Sequence, residues 1–275
     1  MRPWNQILLI LTLGLSGLSA QEASEPVASF ERGFYTAPFD VELSAATTGA
    51  TIYYTTDGST PSATNGTAYT APVTISTTTP LRAITTAPAL FDSEVMTHTY
   101  IFIADVLTQP NDPAGYPDTF AATDENGPYP ADYEMDPEIV DHPRYAGNVD
   151  DALTAIGTVS IVTDIPNLFD PVTGIYYNPN EKGRIWERQI NVEWIDPTGC
   201  GVEVTAHAGI RLHGQASRRP KRMPKKNMRL YFRGEYGTED LDLNLFENRG
   251  EVWPPISSFD RIILKNGGNR SWPYW

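Results

Sequence analysis

Between two stretches of alternating apolar residues, 202–212 and 227–232, the chain carries His213-Gly-Gln-Ala-Ser-Arg-Arg-Pro-Lys-Arg-Met-Pro-Lys-Lys226. A turn of glycine and small polar residues lets backbone N–H groups approach phosphate oxygens, and a lysine on the following strand neutralises them. Gly214, Gln215, Ala216 and Ser217 supply the turn, and Lys225 or Lys226 the cation. Strand alternation puts Lys226 on one side with Met228, Leu230 and Phe232, and Lys225 on the other with Asn227 and Arg229. A lysine at the edge of an apolar surface suits a bound nucleotide better than a freely solvated one, so Lys226 is the preferred candidate. The segment contains neither GxxxxGK[ST] nor GxGxxG. Taken by spacing alone, a solvated basic hairpin loop explains the same residues.

The charge distribution supports an anion site. Net charge is −14, which argues against a nucleic-acid binder. Yet residues 204–234 hold no carboxylate and nine of the 20 basic residues, among them Arg211, Arg218, Arg219, Lys221, Arg222 and Arg229. Those flanking the loop could steer an acidic substrate or lie solvated. Other candidates fall away. His207 and His213 are six residues apart on one strand, about 20 Å at about 3.3 Å per residue, too far to share a metal. Cys200 is the single cysteine; between two glycines and with no His-Asp arrangement nearby, it reads as a small turn residue.

Stepping outward to what positions these residues, Arg2 followed by an apolar run from Ile7 to Leu18 and the small residues Ser19 and Ala20 predicts a cleavable signal peptide over 1–20, and so a secreted or envelope-bound protein. The run is shorter than the roughly twenty residues of a membrane span, so no span is expected after cleavage. Residues 27–103 read as strand after strand, with turns at Thr48-Gly49, Asp57-Gly58 and Asn65-Gly66, and predict a small antiparallel β-sandwich. Its threonines suit strands with one wet face. Tyr53, Tyr54 and Asp57 are either a sugar platform or a strand pair entering a turn. Residues 104–155 are acidic and proline-rich and read as a linker. Residues 156–275 begin a second, β-rich unit, with strands expected at 158–162, 188–195, 202–212, 227–232 and 261–264. The fold class is mainly β, or α+β.

Ile52-Tyr-Tyr-Thr-Thr-Asp-Gly-Ser-Thr-Pro61, with Tyr69, Leu81-Arg-Ala83 and Ser93-Glu-Val95, resembles the chitobiase/β-hexosaminidase C-terminal domain family. The resemblance implies a β-sandwich accessory module with a spacer role or surface-glycan binding, and no catalysis. In the second unit, Ser160-Ile-Val-Thr-Asp164, Leu168-Phe-Asp-Pro171, Gly174-Ile-Tyr176, Trp186-Glu-Arg188, Gly209-Ile-Arg-Leu-His-Gly-Gln-Ala-Ser217, Pro224-Lys-Lys226, Arg229-Leu-Tyr-Phe232 and Leu264-Lys-Asn-Gly-Gly-Asn269 look like the spore-coat-protein-H-like (CotH) kinase family. That resemblance implies the β-rich small lobe of a divergent protein kinase using ATP and a divalent metal, Mg or Mn, on an extracellular or envelope protein substrate. It places Gly214, Gln215, Ala216 and Ser217 over the nucleotide phosphates and Lys225 or Lys226 against them. The metal-binding and catalytic carboxylates of such an enzyme are expected beyond Trp275, so the chain is expected to be C-terminally truncated and by itself catalytically incomplete. The competing expectation is a non-catalytic surface or coat scaffold that binds glycan or protein.

Overall fold

The computed structural model describes residues 21–120, 128–197, 204–218, 225–243 and 256–266. The signal segment, Cys200, Arg219, Lys221, Arg222 and the residues from Gly267 on lie outside the described residues. The fold is mainly β, built on two five-stranded sheets.

The first sheet contains β1 (Gly33–Phe34), β2 (Thr51–Thr55), β3 (Thr67–Ala68), β4 (Thr79–Thr86) and β5 (Met96–Ile101) in the order β1-β5-β4-β2-β3. Phe39–Val41 paired with Val73–Ile75, and Val27–Ala28 paired with Leu43–Ser44, add further antiparallel ladders. Val41, Leu43, Ile75, Leu81, Ala83 and Tyr100 pack into one core. Burial of such side chains is worth about 25 cal/mol per Å² of apolar surface. Among the named strands the pairing is antiparallel apart from the short parallel contact of β1 with β5 at Gly33–Tyr100 and Phe34–Ile101. The strand expected to run on to Ile103 stops at Ile101, where the helix Ile103–Leu107 begins.

The second sheet is an antiparallel meander: β6 (Thr158–Val162), β7 (Arg188–Ile195), β8 (Val204–Leu212), β9 (Met228–Tyr231) and β10 (Arg261–Leu264), in chain order. Alternation divides its two faces. Ile190, Val192, Ala206, Ala208, Ile210 and Leu230 join an apolar cluster on one side. Asn191, Glu193, His207, Gly209, Arg211, Arg229 and Tyr231 fall on the other by the period of two. A short helix, Ile165–Phe169, follows β6.

The 104–155 segment is more than a solvated connection. It contains the pair Thr119–Phe120 with Tyr129–Pro130, and Phe120 and Val149 are buried. Phe120 stacks on Phe169 at 6.1 Å and lies 5.4 Å from Tyr176. Isolated aromatics without periodicity carried this packing, which is why alternation alone missed it.

The two sheets meet through polar side chains. Glu193, fully buried on β7, accepts from the Thr99 N–H at 3.2 Å and from the Thr99 hydroxyl, with Arg32 Nε 3.5 Å away. Thr60 donates its N–H and its hydroxyl to Asp164 at 2.6 and 2.8 Å. Arg82, itself buried, donates to the Gly58 carbonyl at 3.0 Å and to the Thr60 hydroxyl at 3.1 Å. The threonine face of β5 is therefore dry, with Thr97 and Thr99 both buried. The expectation of a wet face fails there, and at Thr99 Glu193 supplies the acceptor that water would otherwise have been. Among the described residues, no helix is long and apolar enough to cross a membrane.

Candidate functional site

The β8–β9 hairpin positions the residues singled out in the sequence. Its ladder sets Gly209 opposite Tyr231, Arg211 opposite Arg229 and Leu212 opposite Met228, and the His213 N–H donates to the Asn227 carbonyl at 2.8 Å. Gly214 then turns with φ +103°, and a Cβ there would lie 2.1 Å from Ser217 Oγ. The positive φ favours glycine there, and any side chain would also have to displace the Ser217 hydroxyl. Ala216 opens the 3-10 turn Ala216–Arg218. Arg218 is buried and folds its guanidinium back onto the Glu181 carbonyl (2.7 Å), the Pro179 carbonyl and the Leu212 carbonyl, tying the turn to the 179–183 segment.

The two lysines separate as the alternation predicts. Lys225 is exposed, whereas Lys226 is 3% exposed. The Lys226 N–H donates to the Tyr176 hydroxyl at 3.2 Å, and its ammonium lies 6.0 Å from the centre of the Tyr176 ring. Tyr176 packs against the apolar cluster of the second sheet. Burial pushes the Lys226 ammonium down from 10.5 to about 8. A third segment arrives here as well. The Asn266 N–H donates to Asn227 Oδ1 at 2.8 Å and its side-chain amide donates to the Lys225 carbonyl. Tyr176, the Gly214 turn, Lys226 and Asn266, far apart in sequence, thus converge on the root of one hairpin.

On the opposite, polar face, Lys182, Arg211, His213, Gly214, Gln215 and Arg229 line an open groove of about 470 Å³. Gly214 and Gln215 are brought into it, and Lys226 is not among its lining residues. The His213 imidazole is pushed below its ordinary value, first by burial and then by Arg229, Arg218 and Lys265.

Glu187 organises the end of this face. Its carboxylate accepts from Arg233 Nε and from the Tyr236 hydroxyl, both at 3.0 Å, and lies 3.1 Å from Arg211 Nε. Arg211 in turn sits 3.9 Å over the Tyr231 ring. The carboxylate passes directly over Gly209, where a Cβ would lie 2.6 Å from Glu187 Oε1 and 2.7 Å from the Tyr236 ring. Gly209→Ala is therefore expected to cost about 2 kcal/mol, read from a denaturant midpoint; an unchanged midpoint would show that Glu187 can move aside. The sequence reading gave Glu187 no role. A glycine interrupting the run Ala206, Ala208, Ile210 was the available signal, since glycine inside a strand marks a close approach.

Tyr53 and Tyr54 lie in β2, with Tyr54 packed against the sandwich core, and Asp57 accepts from the Ser59 N–H and hydroxyl at 3.0 and 2.6 Å. These bonds hold the Asp57 carboxyl below its ordinary range. They belong to a strand and its turn, and the same turn docks on the second sheet through Gly58 and Thr60. His207 pairs with Glu94 at 3.5 Å, away from His213.

The family model described as Fn3 associated matches residues 41–100, within the β-sandwich. No curated protein and no solved structure matches the chain.

Proposed function

We propose that the chain carries the nucleotide-binding part of an exported phosphotransferase similar to the CotH kinases, acting on an extracellular or envelope protein, with the β-sandwich as its accessory module. The observation that carries this reading is the convergence at the hairpin root. A turn with Gly214 at φ +103° and a buried lysine whose ammonium burial destabilises belong to the same hairpin root. A cation kept at such a cost is a functional candidate, and burial favours Lys226 over Lys225 for that role. ATP, when bound, supplies the phosphoryl group. The backbone of Gly214, Gln215, Ala216 and Ser217 would hold its phosphates, and Lys226 would neutralise them. The cationic, carboxylate-poor surroundings of the turn fit such an anion. The metal is different: among the described residues no group of three His, Cys, Asp or Glu gathers to hold one, so these residues do not fit Mg or Mn and no step is derived through it.

Calorimetric titration of the chain with ATP tests the reading. Binding is expected to weaken at least tenfold in Lys226→Met and to stay unchanged in Lys225→Met. A folded chain that does not bind ATP would leave the second reading, a scaffold for glycan or protein. The observation that favours that one is the aromatic row of the β-sandwich, where Phe30 is 37% exposed and the half-buried Tyr35 and Phe39 rings lie 4.2 Å apart, a surface on which a sugar ring could stack.

A further inference from the structure

We infer that the polar face of β8 and β9 carries a second anion site, distinct from Lys226, that binds a phosphate group through Arg211 and Arg229, with Lys182 and the Gly214 turn at its rim.

Arg211 and Arg229 are direct cross-strand partners on the same face of the sheet. Like charges placed directly opposite one another destabilise a sheet, so this pairing calls for a compensating anion. The carboxylates nearby provide it only in part. Glu187 lies 3.1 Å from Arg211, but it also serves Arg233 and the Tyr236 hydroxyl. Among the described residues, neither Arg229 nor Lys182 has a carboxylate within ion-pair distance. Arg218 is 8% exposed and, among the described residues, bonded to carbonyls alone, which adds a fixed positive charge beside the pair. Among the described residues, its Nε, like that of Arg229, has no hydrogen-bond partner.

The geometry selects the ligand's chemistry. The Tyr231 ring fixes the plane of the Arg211 guanidinium at 3.9 Å, and Arg229 lies 6.0 Å from the same ring. Planar guanidinium forks match the paired oxygens of a phosphate better than an ammonium does. The groove, at about 470 Å³ and open to solvent, has room for a phosphate ester with flanking atoms. Lys226, in contrast, reaches toward Tyr176 and the apolar side of the sheet. The inference therefore goes beyond the nucleotide reading: it shares the Gly214 turn with that reading but not Lys226. The phosphate could be free or esterified to a protein side chain, and the chemistry of recognition is shared.

The test is calorimetry on the full chain with inorganic phosphate and with an otherwise uncharged phosphoserine peptide, using wild type, Arg229→Gln, Lys182→Gln and Lys226→Met. Saturable binding is expected, at least tenfold weaker in Arg229→Gln, several-fold weaker in Lys182→Gln, and within about threefold of wild type in Lys226→Met. It should weaken as salt rises. A peptide bound tenfold more tightly than inorganic phosphate would identify an esterified ligand; equal affinities would identify the free anion. Arg229→Gln should melt at or above the wild-type temperature without phosphate, because one of two opposed charges is gone, and phosphate should raise its melting temperature less than that of wild type. Three results overturn the inference: no saturable binding of either probe, binding unchanged in both Arg229→Gln and Lys182→Gln, or binding lost equally in Lys226→Met. The last would mean that one site, not two, serves the hairpin. ATP binding lost from Lys226→Met while phosphopeptide binding persists supports both readings. Absent ATP binding with phosphopeptide binding intact removes only the nucleotide reading.

Discussion

Glu193→Ala is expected to lower stability by about 3 to 4 kcal/mol. The carboxylate is fully buried between the two sheets, and its removal leaves Arg32, whose side chain is 11% exposed, without its counter-charge. Breaking a buried pair from one side typically costs about 3 to 5 kcal/mol. The Thr99 N–H loses its acceptor as well, at about 1 kcal/mol or more. Water admitted at the edge of the interface offsets part of this. Glu193→Gln, which keeps an acceptor for Thr99, should cost nearer 1 kcal/mol. Burial raises the carboxyl's pKa above its ordinary 4.5, opposed by the Thr99 hydroxyl and by Arg32. As pH rises from 4.5 toward that higher value, the native state holds a proton the unfolded chain has given up, so wild-type stability falls across this window. The Gln variant should lack that fall. Urea midpoints across pH 4 to 7 decide the matter, and an Ala variant within about 0.5 kcal/mol of wild type would mean that the sheets are held together elsewhere.

Lys226→Met should make the protein more stable and less functional. The interval between 10.5 in the unfolded chain and about 8 in the folded one, at about 1.4 kcal/mol for each pKa unit, amounts to roughly 3 kcal/mol held against folding at neutral pH. Loss of the contacts that Lys226 makes, the one with Tyr176 among them, takes back part of this, leaving a net gain on the order of 1 kcal/mol. The sign follows from the protons. Between pH 8 and 10 the unfolded state binds more protons than the native state, so wild-type stability rises with pH. Methionine, with nothing to titrate, should remove that rise. A variant less stable than wild type at pH 7 would show that the ammonium, not its desolvation, dominates here. Stability gained at the expense of activity is the ordinary signature of a strained functional group.

Much of the fold was legible because alternation with a period of two is a strong signal wherever one face of a strand is apolar. The bounds 158–162, 188–195 and 261–264 read from the sequence coincide with the strands observed. The same signal placed Lys226 on the apolar side and Arg229 on the other. What escaped was carried by residues whose partners are distant in sequence. Nothing local shows that Thr99 will meet Glu193, 94 positions away, or that Phe120 in an acidic, proline-rich stretch will find Phe169. Asp57-Gly58 was legible as a turn, but its neighbour Thr60 acquires its docking role only when Asp164 arrives. The basic loop was visible as composition. Its division into an anion-facing side with Arg211 and Arg229 and a buried side with Lys226 required the register of β8 against β9.

Transfer of labelled γ-phosphate from ATP, in the presence of Mg or Mn, by the protein to itself or to a generic protein acceptor is the most direct test of the phosphotransferase reading. Incorporation is expected in the wild type and in Lys225→Met, with a loss of at least a hundredfold in a folded Lys226→Met. No incorporation by folded wild-type protein, or equal incorporation in Lys226→Met, would contradict it.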